Sequence, residues 1–228
     1  MSVLYDQFSY DPNEVEHKSG SPHMNNGLPI VFVVDDDISV RESLEDLISI
    51  EGWHPIIFSS AQSFLAYPRV RTPSCLILDV NLPDLNGLDL QKLVAADRVE
   101  MPIIFITGYG NVPMSVQAMK AGAFEFLTKP FRDDVLLAAI GEAISRSSES
   151  LRADVELQDL RGSYASLSRR EQEVMALVIS GMINKQVGAE LGISEITVKA
   201  HRGRVMRKMN ANSLADLIGM DRALKSKR

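Results

Sequence analysis

The chain of 228 residues has one cysteine, Cys75, and no apolar run near the about 18 residues that a transmembrane helix needs. A single cysteine excludes a framework of internal disulfides and is typical of a reducing compartment. Residues 1–28 lack the basic start and apolar core of a signal peptide, and their polar composition predicts a disordered tail. These absences favour a cytoplasmic protein that makes no contact with a membrane.

Positive charge is scarce in residues 1–165, which hold 12 Lys and Arg against 24 Asp and Glu. Residues 166–228 reverse that ratio with 12 against 6, so the net charge of −6 combines an acidic part with a basic part. This split predicts two modules, of which the second faces an anionic polymer. Between them, the Ser-rich and charged residues 147–165 predict a linker, for which a partly helical and a flexible form both fit.

Short apolar runs alternate with amphipathic segments throughout residues 29–146. The alternation predicts a doubly wound α/β domain, with a five-stranded parallel sheet covered by helices on both faces. Continuous rather than alternating apolar strands are typical of a sheet buried on both sides. The predicted strands are IVFVV (30–34), PIIF (55–58), CLIL (75–78), PIIFI (102–106) and AFEFL (123–127).

Polar side chains follow these strands where each one ends. In such sheets ligands bind beyond the carboxyl ends of the strands, so we expect Asp35, Asp36 and Asp79 to lie close together. Their charges would repel one another without a cation, and Mg²⁺ is a hard ion that takes few carboxylates. Lys129 adds a positive charge and Thr107 a hydroxyl donor. The set predicts a site that stabilises a phosphoryl group passing onto Asp79.

A strand-end aspartate is more often a helix cap, which is the role that we expect for Asp37. The motifs VVDDD (33–37), LILDVNLPDLNG (76–87), FITGYG (105–110) and VPMSVQAMKAGAFEFLTKPF (112–131) nevertheless occur together. Over residues 30–146 the sequence resembles the receiver domain of two-component response regulators. The resemblance implies a flavodoxin-like fold and a sensor histidine kinase as the phosphoryl donor.

The same resemblance assigns roles to individual residues. It implies that Asp79 is the phospho-acceptor, that Asp35 and Asp36 form the acidic metal pair, and that Asn81 gives a backbone carbonyl to Mg²⁺. Thr107 and Lys129 match the switch hydroxyl and the phosphoryl-binding lysine of the family. Phe126 matches its aromatic switch position, although a plain core aromatic is the alternative. The Lys129–Pro130 bond is a candidate for the cis form.

Residues 166–228 carry the start and stop signals of four helices. Ser168 with Glu171 has capping-box spacing, Gly181 and Gly192 can end helices, and Ser194 and Ser213 can begin them. Two helices joined by a short Gly-containing turn suggest a helix-turn-helix unit. At 100° per residue, the third helix has a buried seam and a basic outer face. The seam is Val198, Val205 and Met209, and the outer face is Ile196, Lys199, Ala200, Gly203 and Arg207, with Arg204 and Lys208 at one edge.

The stretches LSRREQEVMALV, NKQVGAELGIS and TVKAHRGRVMRKM resemble the LuxR-type, or NarL/FixJ-type, DNA-binding domain. The resemblance implies that the third helix reads promoter DNA in the major groove. Gly203 departs from the larger residue of relatives, and His201 has packing as a rival role. The fourth helix pairs protomers in some relatives. Base-facing positions are Lys199, Ala200 and Gly203. The residues near the DNA backbone or supporting the helix are Lys185, Thr197, His201, Arg204 and Lys208. Arg207 is a further DNA-binding candidate, and the dimer candidates are Leu214, Leu217 and Ile218.

These features favour a phosphorylation-dependent transcriptional regulator that is not an enzyme. We expect an activator that dimerises when phosphorylated, binds a two-fold promoter site and meets RNA polymerase there. One alternative is a Mg²⁺-dependent aspartyl-phosphate hydrolase, but such enzymes carry a second Asp where this chain has Asn81. Another alternative is a constitutive DNA-binding protein that uses the receiver as a scaffold.

Overall fold

The computed structural model describes residues 27–98 and 100–226, so all but the last two residues of the predicted tail lie outside the described part. The strands are β1 (Ile30–Val34), β2 (His54–Phe58), β3 (Ser74–Asp79), β4 (Ile103–Thr107) and β5 (Glu125–Thr128). They form a parallel sheet in the order β2-β1-β3-β4-β5, which confirms the predicted α/β fold. β5 begins two residues later than the sequence predicts. Within the described ranges, no helix combines the length and apolarity needed to cross a bilayer.

The three central strands are buried along their whole length. Successive side chains of a strand point to opposite faces, so each strand supplies both cores of the domain. Phe32 and Leu76 belong to one core, and Val31 and Ile77 belong to the other. Cys75 is part of the second core, where burial raises the pKa of its thiol. It is therefore a small buried apolar residue.

The helices of the receiver begin where the sequence supplies caps and close contacts. Asp37 caps the first helix by accepting a 2.9 Å hydrogen bond from the Ser39 amide, as predicted. A Cβ on Gly87 would lie 2.5 Å from the backbone oxygen of Asp79, so only glycine lets the third helix start this close to β3. The helices are α1 (Ile38–Ile50), α2 (Ala61–Ala66), α3 (Gly87–Asp97), α4 (Val112–Lys120) and α5 (Asp133–Ala165).

α5 has 33 residues and crosses the whole predicted linker of residues 147–165, which favours the helical form. Its first part is fixed to the sheet, where the Ser147 hydroxyl accepts a 3.0 Å hydrogen bond from the buried Ser74 amide. Its middle, residues 152–159, is largely exposed. Its last turns pack Leu160 and Tyr164 against the core of the C-terminal domain. One continuous helix therefore contributes to the cores of both domains.

The C-terminal helices are α6 (Arg169–Ile179), α7 (Asn184–Leu191), α8 (Glu195–Lys208) and α9 (Leu214–Ser226), which confirms the predicted all-α domain. Ser168 and Glu171 form the predicted capping box, and the Ser194 and Ser213 hydroxyls accept hydrogen bonds at the starts of α8 and α9. α6 and α7 both pack on α8. The predicted seam is buried, with Val198, Val205 and Met209 at most 2% exposed.

Candidate functional site

The carboxyl ends of β1 and β3 bring three carboxylates together. β1 pairs with β3 so that Val34 lies beside Leu78, and the next residues of the two strands are Asp35 and Asp79. Oxygen atoms of Asp35, Asp36 and Asp79 lie within 4.8 Å of one another. Asp35 and Asp79 are buried, whereas Asp36 is exposed. Strand register therefore brings Asp35 beside Asp79, and Asp36 joins them from the turn after β1.

Lys129 is the cation of this cluster. Its Nζ lies 2.6 Å from an oxygen of Asp35 and 3.1 Å from an oxygen of Asp79. Burial raises the pKa of Asp35 more than the Lys129 contact lowers it. Burial alone would lower the pKa of Lys129, but the hydrogen bond and charge of Asp35, with those of Asp79, raise it. Lys129 follows β5, and the Lys129–Pro130 bond is cis, as the sequence suggested.

Asp79 and Thr107 are linked through Asn81. The Asn81 amide nitrogen of the backbone donates a 3.0 Å hydrogen bond to Oδ1 of Asp79. The side-chain Nδ2 of Asn81 donates a 3.3 Å hydrogen bond to the hydroxyl of Thr107. That buried hydroxyl also accepts a 3.2 Å hydrogen bond from the Tyr109 amide. The predicted switch hydroxyl is thus held by two donors beside the predicted acceptor.

Phe126 is half-buried and packs beside Phe105, with ring centroids 6.0 Å apart. Gly110 fills the space between this ring and the end of β4. A Cβ on Gly110 would lie 2.7 Å from Cγ2 of Thr128, 3.1 Å from Cγ2 of Thr107 and 3.2 Å from Cε1 of Phe126. Sequence reasoning missed Gly110, although the FITGYG motif places it three residues after Thr107. It lies in contact distance of both predicted switch residues.

The structure also shows two other supports of the site that sequence reasoning missed. Arg41 donates a 2.7 Å hydrogen bond from Nη1 to the backbone oxygen of Asp35, which fixes the turn that carries the acidic pair. Asp84, in the loop after β3, accepts hydrogen bonds from the backbone amides of Ala61 and Gln62 at the start of α2. The position of Arg41, one turn into α1 and close after the acidic pair, was the sequence signal that could have predicted this contact.

The second candidate site is the outer face of α8. Lys199, Ala200, Gly203, Arg204 and Arg207 are all exposed, as is Lys185 on α7. Lys199 pairs with Glu195 one turn earlier at 3.1 Å. Thr197 shares a 2.8 Å hydrogen bond with the cap residue Ser194, which gives it a supporting role. The predicted outer face is therefore accessible along α8.

Two predicted DNA-contacting residues have roles inside the domain. Nζ of Lys208 lies 2.7 Å from the carboxylate of Glu171 and 2.9 Å from the backbone oxygen of Ser166. It therefore joins the end of α8 to the start of α6, and a phosphate contact stays a prediction. His201 is half-buried, and its buried Nδ1 has no hydrogen-bond partner in the described part of the chain. This placement favours the packing role of His201.

The structure corrects one of the three dimer candidates. Leu217 is 1% exposed and belongs to the core formed with Val205 and Met209, so its side chain cannot meet a second protomer. Leu214 is partly buried against the neighbouring core. Ile218 is partly buried as well. The resemblance to relatives suggested these three residues of α9, but Leu217 and Leu214 pack on the domain itself.

Comparison with known proteins assigns a family to each half of the chain. The family described as response regulator receiver domain matches residues 31–141, and the luxR family of bacterial regulatory proteins matches residues 165–220. Nodulation protein W of Bradyrhizobium diazoefficiens is 51% identical over 195 residues, which cover 86% of each chain. The chain belongs to the response regulator family. This response regulator carries a receiver domain and a LuxR-type DNA-binding domain.

Two further relatives are similar across both domains. Transcriptional regulatory protein FixJ of B. diazoefficiens is 40% identical over 188 residues, which cover 82% of this chain and 92% of FixJ. The solved structure of response regulator StyR is 44% identical with a TM-score of 0.76, covering 85% of this chain and 98% of StyR. The predicted FixJ-like combination of domains is confirmed.

The acidic cluster of this response regulator fits a hard divalent cation. Three carboxylates within 4.8 Å of one another supply the oxygen ligands that Mg²⁺ takes. Burial is the main cause that raises the pKa of Asp35, and the nearby charge of Asp79 raises it further, as expected where a cation can neutralise the carboxylates. Asp35, Asp36 and Asp79 would hold the ion. The carbonyl of Asn81 as a further ligand stays a prediction.

Proposed function

We propose that Asp79 accepts a phosphoryl group from a sensor histidine kinase, and that phosphorylation promotes dimerisation and promoter binding. The observation that carries the proposal is the position of Asp79 beside both the acidic pair and Lys129, with Nζ of Lys129 3.1 Å from its carboxylate. A phosphoryl-transfer site requires a nucleophile with a cation and a hydrogen-bond donor placed beside it. Here these three groups come from the ends of three different strands.

The chemistry of the proposed transfer follows from these groups. An oxygen of Asp79 attacks phosphorus as the bond to the donor's leaving atom breaks, and no proton transfer to the carboxylate is needed. Lys129 compensates the charge on a phosphoryl oxygen, and the Asn81 amide keeps the other oxygen of Asp79 oriented. Bound Mg²⁺ would supply further neutralisation of the phosphoryl oxygens. Thr107 becomes a donor to the new group.

Phosphorylation would compete for the Thr107 hydroxyl. The new group adds about −1.5 to −2 charge and strong acceptor oxygens. Thr107 moves toward them and loses its 3.3 Å contact with Asn81. Space opens behind Thr107, and Phe126 turns into it. The surface formed by α4, β5 and α5 changes with it, which is how a local event biases a larger two-state element.

The proposed output is binding of a two-fold promoter site by a dimer. Pairing of phosphorylated receivers would bring two α8 helices to adjacent major grooves. Lys185, Arg204 and Arg207 would neutralise phosphates. Ile218 remains a candidate for contact between protomers through α9. The likeness to FixJ, whose name describes a transcriptional regulatory protein, supports regulation of transcription. We propose that this regulation is activation through contact with RNA polymerase.

DNA binding before and after phosphorylation tests the proposal. DNA sites are first selected from fragments of genomic DNA with protein treated with acetyl phosphate and Mg²⁺. The wild type should bind a selected site at least about tenfold more tightly after treatment. Asp79→Asn should bind alike with and without it, because the acceptor is gone. Equal stimulation of both proteins would overturn the proposal, and many turnovers on small phosphoesters would favour the hydrolase instead.

A further inference from the structure

Ile196 lies in the first turn of α8 and is 79% exposed. An isoleucine this exposed gains nothing for the stability of the domain, because its apolar surface remains in water. β-branched residues also have a lower helix propensity than Ala or Leu. Ile196 therefore does not serve the packing of the domain. Its place on the proposed DNA-binding helix makes it a candidate for contact with DNA.

Ile196 begins a stripe that runs along the outer face of α8. At 100° per residue, Ile196, Ala200, Gly203 and Arg207 fall within about 60° of one another. This stripe lies opposite the buried seam. Its members are exposed throughout. The part of α8 that would enter a groove most deeply is therefore Ile196–Ala200–Gly203, with the charge of Arg207 at the far end.

The three leading members of the stripe offer no side-chain hydrogen bond. A Cβ on Gly203 would meet nothing within 4 Å, so the packing of the domain does not require glycine there. A small residue is useful when another molecule approaches the backbone closely. Lys199, one edge of the stripe, already has Glu195 as a partner at 3.1 Å. The centre of the outer face of α8 therefore carries small or apolar residues that offer no hydrogen-bond donor or acceptor.

We propose that this stripe recognises thymine methyl groups in the major groove, with Ile196 as the main specificity-determining residue. The inference rests on DNA binding by α8. In the major groove the thymine C5-methyl is the apolar group that a side chain can contact, whereas the edges of G, C and A present donors and acceptors. An apolar stripe leaves those donors and acceptors unpaired, which costs affinity. The N-terminal part of a recognition helix is also the part that contacts base edges.

Replacing thymine by deoxyuridine tests the proposal, because it removes only the methyl group. A selected site is substituted one thymine at a time, and dissociation constants are measured by fluorescence anisotropy at fixed salt with the full-length, acetyl-phosphate-treated protein. We expect one thymine position in each half-site where uracil weakens wild-type binding about three- to tenfold. Ile196→Ala changes both protomers of the dimer, so it should weaken binding to the thymine site about as much as uracil at that position in both half-sites. Uracil there should add no further loss to the variant.

Two controls make the result specific. Ile50→Ala, at an 81% exposed isoleucine of the receiver, should leave both dissociation constants unchanged. Ile196→Ala should keep the salt dependence of binding. Arg207→Ala removes one phosphate contact from each protomer of the dimer, so it should lower the slope by about two. The inference would be overturned if uracil left the dissociation constant of the wild type unchanged at every position. It would also be overturned if uracil weakened binding equally in the wild type and in Ile196→Ala. Neither result would contradict DNA binding by α8. Failure to bind any DNA would overturn the proposed function as well.

Discussion

The ammonium nitrogen of Lys129 lies 2.6 Å from a carboxylate oxygen of Asp35, a residue that is fully buried. The contact joins the end of β5 to the end of β1 across the middle of the sheet. It places a positive charge where a divalent ion would also be attracted. Lys129 therefore both stabilises the acidic cluster and competes with a metal for it.

Lys129→Met should bind Mg²⁺ more tightly than the wild type, because the competing ammonium is absent. Without Mg²⁺ the variant should unfold about 1–3 kcal/mol more easily, since a buried carboxylate loses its partner. Saturating Mg²⁺ should recover much of that loss. Titration calorimetry gives the affinity, and chemical denaturation gives the free energy of unfolding.

The matched control for this change is Lys92→Met, which removes a lysine from the exposed pair with Asp89. Its effect on stability should stay below about 1 kcal/mol and should not depend on Mg²⁺. Identical Mg²⁺ affinities for wild type and Lys129→Met would contradict the competition described here.

Gly110→Ala should impair switching without removing the phospho-acceptor. The new Cβ would lie 2.7 Å from Cγ2 of Thr128 and close to Thr107 and Phe126, so these side chains must shift. We expect a loss of about 1–3 kcal/mol in stability from overpacking. Phosphorylation by acetyl phosphate should persist while the gain in DNA affinity shrinks.

Gly108→Ala is the control, because a Cβ at Gly108 meets nothing within 4 Å. It belongs to the same loop and makes the same chemical change. If Gly108→Ala reduced the response as much as Gly110→Ala, crowding of Thr107 and Phe126 would not be the cause.

Glu171 predicts a pH dependence for the DNA-binding domain. Hydrogen bonds from Lys208 and from the Ser168 amide lower the pKa of Glu171 from 4.5 to about 2. A lowered pKa in the folded state means that the contribution to stability is complete above about pH 4.5 and is lost as pH falls toward 2. Protection of α6 and α8 amides from hydrogen exchange should therefore fall steeply over this range.

Glu171→Gln should remove most of that pH dependence and lower protection near pH 7, where the wild type has the full interaction. Glu190→Gln, at an exposed position of α7, should behave like the wild type. A wild-type profile that is unchanged from pH 5 to pH 3 would show that the Lys208–Glu171 pair does not hold α8 against α6.

The continuous α5 helix predicts that coupling depends on its middle. Glu156 is exposed in the stretch between the two domain cores. Proline there removes a helical hydrogen bond and costs about 3 kcal/mol locally. Glu156→Pro should leave phosphorylation and unstimulated DNA binding intact but reduce the stimulation by phosphorylation. Glu156→Ala, which keeps the helix, should respond like the wild type.

Much of the site could be predicted because strand ends are visible in the sequence. Asp79 follows a run of apolar residues, and parallel strands bring their ends to one edge, so the meeting of Asp35 and Asp79 required no knowledge of distant contacts. The two-sided burial of β1 and β3 was likewise visible as continuous apolar runs.

The roles that the sequence did not reveal depend on contacts between residues distant in sequence. Lys208 looks like a phosphate ligand from its place on α8, but Glu171, 37 residues earlier, takes its ammonium. Leu217 looks like a dimer contact until the core around Val205 is seen to contain it. The middle of the helical linker is largely exposed and carries mostly polar residues, so periodicity gave only a weak signal there.

Intact-mass measurement after treatment with acetyl phosphate tests the central claim most directly. In the presence of Mg²⁺ the wild-type chain should gain the mass of one phosphoryl group, and this gain should disappear on chelation of the metal. Asp79→Asn should gain nothing under the same conditions. A phosphoryl group on Asp79→Asn, or a wild-type chain that stays unmodified with Mg²⁺ and donor present, would contradict the account.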